Sequence, residues 1–112
     1  MGRMRHHAII VTSWDRDCLD EARAKAQGLF RYCSAITGSG MNGNMSFLVP
    51  PDGSKEGWAE SDVGDAARKG FVAWMNEQRY EDESTPLDWV EVEFGGDGGE
   101  AVIVNDCETD PA

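Results

Sequence analysis

Apolar positions recur along this chain in two rhythms, one of period two and one of three to four residues, and the switches between them mark the elements. From His6 to Trp14 the run His-His-Ala-Ile-Ile-Val-Thr-Ser-Trp is dense in β-branched residues and apolar on both alternation sets at its centre. That predicts a strand buried on both sides. Cys18, Leu19, Ala22, Ala26, Leu29 and Phe30 then fall at helical spacing, predicting a helix that ends near Arg31, with Ser13 or Asp15 as its N-cap. Asp15, Asp17, Asp20 and Glu21 sit toward the start, and Arg23, Lys25 and Arg31 toward the end, as the helix dipole favours.

Tyr32 to Pro50 reads as two strands around Met41-Asn42-Gly43-Asn44, because Asn-Gly adopts the positive φ of a tight turn at low cost. Met45, Phe47 and Val49 share one face of the second strand, and Pro50-Pro51 ends it. After a polar loop, Pro51 to Glu60, a second helix is predicted from a cap at Ser61 or Asp62 to about Tyr80, with Val63, Ala67, Gly70, Phe71, Trp74 and Met75 on its apolar stripe. Leu87 to Phe94 alternates again. Val90, Val92 and Phe94 lie on one face and Trp89, Glu91 and Glu93 on the other, the pattern of a half-exposed strand. Gly95-Gly96-Asp97-Gly98-Gly99 turns the chain, and Glu100 to Val104 returns as a fifth strand.

The order β-α-β-β-α-β with an added strand predicts an α+β domain over residues 1–104, ferredoxin-like, with two helices on one face and residues 105–112 an acidic, disordered tail. Right-handed crossovers give the strand order 5-4-1-3-2. Both helices then cover the same side, yet the first strand is apolar on its two sides. The uncovered face should meet a second copy of the chain, as a homodimer, or a ligand in a shallow trough.

Charge narrows the partners. Of 112 residues, 21 are Asp or Glu and 10 are Lys or Arg, for a net −11 that lies wholly in residues 81–112, while the first 80 residues balance. Duplex nucleic acid is excluded there, because its capture depends on cations displacing counterions from phosphates. The longest apolar run, Ala8 to Val11, is far short of the ~18 residues of a membrane span, so a cytoplasmic protein without membrane contact is expected. Cys18, Cys33 and Cys107 are odd in number and far apart, which indicates neither a disulfide framework nor a zinc site. No metal and no cofactor is expected.

Four features suit chemistry, each with a plainer alternative. Thr37 to Asn44, with Ser39, Asn42 and Asn44, is rich in small donors that suit a phosphate or sugar edge, but lacks the helix and Gly-Lys ending of a phosphate loop and reads better as a hairpin tip. The loop with Lys55 and Trp58 combines a cation with an aromatic plate, and Lys55 or Arg68 is placed to meet a phosphate while a base stacks on Trp58. The alternative is that Trp58 merely packs the loop. His6 and His7 begin the interior strand, where neighbouring side chains point to opposite faces and cannot chelate one ion together; either suits a general base, or is a histidine satisfied by backbone. Trp89 between Glu91 and Glu93 suits an acidic strip with an aromatic anchor for a basic partner, or plain solubility.

Three stretches carry a resemblance: Met-Arg-His-His-Ala-Ile-Ile-Val-Thr-Ser-Trp-Asp from Met4, Pro51 to Asp65 around Asp-Gly-Ser-Lys-Glu-Gly-Trp, and Pro86 to Asp97 as Pro-Leu-Asp-Trp-Val-Glu-Val-Glu-Phe-Gly-Gly-Asp. Together they resemble small proteins of phages and prophages. The resemblance implies an oligomer that counters host immunity by sequestering a nucleotide-derived signal, such as a cyclic nucleotide or an ADP-ribose-like molecule, and it leaves Met1 to Arg3 as a leader. It carries no residue roles. The expectation is a non-enzymatic binding protein; the alternatives are an acidic inhibitor of a basic host protein and a small cofactor-free dimeric α+β barrel enzyme that uses His6 or His7.

Overall fold

The computed structural model describes residues 5–38, 43–51, 59–96 and 100–107. Within them the chain runs β1 (His6–Ser13), α1 (Arg16–Leu29), β2 (Thr37–Gly38), β3 (Met45–Val49), α2 (Ala59–Glu77), β4 (Asp88–Phe94) and β5 (Val102–Asp106). The strands form one sheet in the order β2-β3-β1-β4-β5, antiparallel throughout. This is the α+β, ferredoxin-like arrangement expected from the sequence, with β1 at the centre and both helices against one face.

The antiparallel register fixes which side chains share that face. Ile9 and Val11 of β1 stand opposite Val49 and Phe47 of β3 and opposite Glu91 and Trp89 of β4. They meet Leu19, Ala22 and Ala26 of α1 and Phe71, Val72 and Met75 of α2 in one buried cluster. Phe30 meets Phe71 edge-on at 5.8 Å, and Trp74 stacks parallel to it at 6.2 Å, geometries that suit the ring quadrupoles.

Asp15 is the cap of α1. Its backbone is extended and its carboxylate accepts from the Cys18 amide at 3.2 Å. Ser13, the other candidate, instead donates to the Pro86 carbonyl at 2.6 Å and accepts from the Asp15 amide, which ties β1 to the segment before β4. The Tyr80 hydroxyl donates to the second Asp15 oxygen at 2.7 Å, so the residue after α2 fastens the start of α1. That bond, followed by the Cys18 amide, holds the Asp15 carboxyl below its ordinary value, and the same bond, followed by burial, pushes the Tyr80 phenol well above its own.

Several expectations are corrected. The first helix ends at Leu29, capped by the Phe30 amide on the Ala26 carbonyl, so Arg31 lies beyond it and no base occupies its last turn. The second helix begins at Ala59, which places the anticipated caps Ser61 and Asp62 inside it. Its buried stripe is Arg68, Phe71, Val72 and Met75, while Gly70 is exposed and Val63 is 70% exposed. On β4 the faces are reversed: Leu87, Trp89 and Glu91 are buried, and Val90, Val92 and Phe94 face away from the helices. β5 runs through Asn105 and Asp106, two residues past the expected start of the tail.

One cation organises the far end of the sheet. Arg5 is 6% exposed and donates to the Glu93 carboxylate at 3.0 Å and to the carbonyls of Gly95 and Glu100 at 3.0 and 2.8 Å. A guanidinium fork supplies several donors from one plane, which is why a single arginine can gather both sides of the β4–β5 turn. Gly95 there has φ +66, and a Cβ on it would lie 3.0 Å from the His6 ring. Glycine meets both demands.

Candidate functional site

A concavity lies at one end of the helical layer, where α1 ends and α2 begins. It encloses about 510 Å³, within the range of small-molecule sites. Leu29 to Tyr32 form one wall as the chain leaves α1. Val49, Pro50 and Pro51 form a second, where two prolines halt β3. The third is the first half of α2, with Ala59, Val63 and Ala67. His7 and Arg68 close the inner end.

Its electrostatics oppose those of the chain as a whole. Among the described residues, the lining carries Arg31, Arg68 and His7 and no carboxylate, in a protein of net −11. The start of a 19-residue helix, α2, adds the partial positive charge of its first amides. Arg68 is held rigidly: its guanidinium pairs with Asp65 one turn earlier on α2 and lies 3.8 Å from the Glu91 carboxylate, with both side chains of the latter pair under one-tenth exposed. Those carboxylates belong to a separate concavity of about 300 Å³ on the other side of His7 and Arg68. The two residues thus line both concavities, and the carboxylates paired with Arg68 line the smaller one. The open rim holds Arg31 and a Tyr32 ring that is 69% exposed, a cation beside an aromatic plate.

The structure brings His7 and Arg68 together in this cleft, as two of the residues singled out in the sequence. His6 lies on the opposite face of the sheet, with its ring 5.4 Å from that of Phe94. Asn44 is half-buried beside the β2–β3 turn, far along β3 from the cleft end. Ser39, Asn42, Lys55 and Trp58 lie outside the described residues, although the stretch bearing Lys55 and Trp58 joins Pro51 to Ala59, two residues that line the cleft. Gly43 of the anticipated turn has φ +75, as an Asn-Gly turn requires.

The acidic strip is corrected. Trp89 is 4% and Glu91 7% exposed beneath α2, and Glu93 pairs with Arg5. The physical reason is register: Trp89 stands opposite Val11 and Glu91 opposite Ile9, so both inherit the helix-covered face. Arg68 offsets the charge that this buries.

Arg31, Tyr32 and Val63 were missed in the sequence. Arg31 and Tyr32 adjoin a helix end, and Val63 breaks the true buried stripe of α2 by lying outside it. An apolar helix residue left exposed beside a cation–aromatic pair is the signal they carry. Elsewhere, burial followed by the neighbouring Asp15 carboxylate pushes the Cys18 thiol up, the reverse of what a thiolate nucleophile needs. Among the described residues, no cluster of His, Cys, Asp and Glu is placed to hold a metal ion, and no helix is long and apolar enough to cross a membrane. No protein-family model, curated protein or solved structure matches the chain.

Proposed function

We propose that this chain is a binding protein that captures a small nucleotide-derived anion in the cleft between α1 and α2 and does not transform it. The observation that carries this reading is the cleft's lining: among the described residues it holds two arginines, a histidine and a helix start and no carboxylate, in a strongly acidic chain. Apolar walls from Val49, Pro50 and Val63 suit a flat base, Tyr32 offers a stacking surface, and Arg31 with Arg68 suits phosphate oxygens. The resemblance to small phage proteins read in the sequence, over most of residues 4 to 97, would extend the proposal to sequestration of a cyclic nucleotide or ADP-ribose-like signal on which host defence depends.

Calorimetric titration of the purified chain against cyclic di- and trinucleotides and cyclic ADP-ribose isomers tests it. One member of the panel is expected to bind at one per chain. Arg31→Glu should weaken that binding by at least ~10-fold, the cost of replacing an attractive charge with a repulsive one at a partly desolvated site, whereas Arg16→Glu, outside the cleft, should not. Silence across the panel, or binding indifferent to Arg31→Glu, overturns the reading.

A further inference from the structure

The sheet has a second broad surface, turned away from both helices. β1 presents His6, Ala8, Ile10 and Thr12 there, and β4 presents Phe94, Val92, Val90 and Asp88 in register opposite them. Leu48 of β3 stands beside Ile10, and Ile103 of β5 beside Val92. Ile10, Phe94 and Ile103 are 43%, 37% and 62% exposed. Single chains rarely leave so continuous an apolar surface in water.

We propose that this face is the contact between two copies of this chain, stacked sheet on sheet about a two-fold axis that crosses the strands at Ile9. Three observations select a second copy as the occupant. The first is size. Strands of 8, 2, 5, 7 and 5 residues, at about 4.8 Å by about 3.3 Å per residue, make a face of roughly 430 Å² before side-chain relief is counted, the scale of a weak, concentration-dependent pair.

The second is shape. A two-fold axis across the strands lays β1 antiparallel over the same strand of the other copy, so Ala8 faces Ile10 of the partner subunit and Ile10 faces Ala8 of the partner subunit. Small meets large twice, as interdigitating sheets require. On β4 the same operation sets Val92 over Val90 of the partner subunit.

The third is charge. The rotation carries His6 from one end of β1 to the end occupied by Thr12 and Asp88 of the partner subunit. Asp106 stands opposite Val90 and adds a second carboxylate at that end. Ile10, Thr12, Asp88, Val90 and Asp106 there line a shallow hollow of about 540 Å³, into which the imidazole of the other copy fits. A donor ring thus meets an acidic hollow at both ends of β1 in the pair. The cleft between the helices lies on the opposite side of the sheet and stays open in such a pair.

Sedimentation equilibrium of the intact chain at tens of micromolar should return the mass of two chains. Ile10→Lys places a charge in the contact twice and is expected to raise the dissociation constant at least ~100-fold with an unchanged far-ultraviolet circular dichroism spectrum. Should Ile10→Lys fail to fold, Ile103→Lys, at a more exposed position, serves in its place. His6→Asp should weaken pairing and His6→Lys preserve it. A mass of one chain for the unaltered protein, or two-chain association indifferent to both lysine substitutions, overturns the proposal.

Discussion

The two faces of the sheet share the same five strands yet obey different rules. Under the helices, Ile9, Val11, Phe47 and Trp89 are buried, and the face also takes in Glu91 beside Arg68. On the other side the side chains are Ala8, Ile10, Val90, Val92 and Phe94, as apolar as the first set, and of these Ile10 and Phe94 remain exposed. Hydropathy therefore does not say which face a strand turns to the core when both of its alternation sets contain apolar residues. The helix layer decides, because it brings large anchors and, in Arg68, a cation that makes the buried Glu91 carboxylate tolerable.

The largest expected effect separates the faces by truncation. Phe71→Ala empties a fully buried position between Phe30 and Trp74 and should cost about 3–5 kcal/mol in denaturant unfolding. Phe94→Ala, on the open face, should cost about 1 kcal/mol or less when measured at dilution. Equal losses at the two positions would erase the distinction.

Next is the charge within the covered face. Arg68→Met strands Glu91, 7% exposed, and should destabilise by about 3 kcal/mol, of which the double variant Arg68→Met with Glu91→Leu should recover most. Failure of the double variant to recover would show that Glu91 does more than occupy a paired site. A smaller effect follows at the sheet end. Arg5→Met removes the donors from Glu93, Gly95 and Glu100 and should cost about 2 kcal/mol.

The smallest effect is in the pH dependence of stability. Asp15 has a lowered folded-state value, chiefly through the Tyr80 hydroxyl, so its contribution is present above its ordinary value of 3.8 and is lost as pH falls through the lower folded value. Tyr80 has a raised value for the same reason. Its contribution is present below 10 and is lost as pH rises above that. Tyr80→Phe should flatten both limbs of the unfolding profile, and an unchanged profile would show that this hydrogen bond does not couple the helices.

Much of this was legible in the residues. The period-two run at His6 to Ser13, the Asp15 cap, the positive φ of Gly43 and the Pro50-Pro51 stop each act over a few neighbours, and together they dictate the order of elements and the placing of β1 at the centre. The stripe of α2 was read one position astray, because Val63 and Ala67 fit the apolar spacing while Arg68, buried, does not look like a core residue. The cleft was half legible. His7 and Arg68 stood out by residue type, but Arg31 was assigned to a helix end and Tyr32 to a strand start, and nothing in their neighbours joins them to residues at 49 or 63.

The amino-acid order by itself determined the elements, their caps and turns, and through handed crossovers the sequence of strands across the sheet, since those depend on backbone preference and short connections. Only the tertiary structure decided which side of β4 is covered, that Arg5 reaches across 88 residues to Glu93, and that a cationic cleft opens in an acidic chain. Each of these is set by pairing register and by contacts between residues far apart in the chain, where a shift of a single position sends every side chain of a strand to the opposite face.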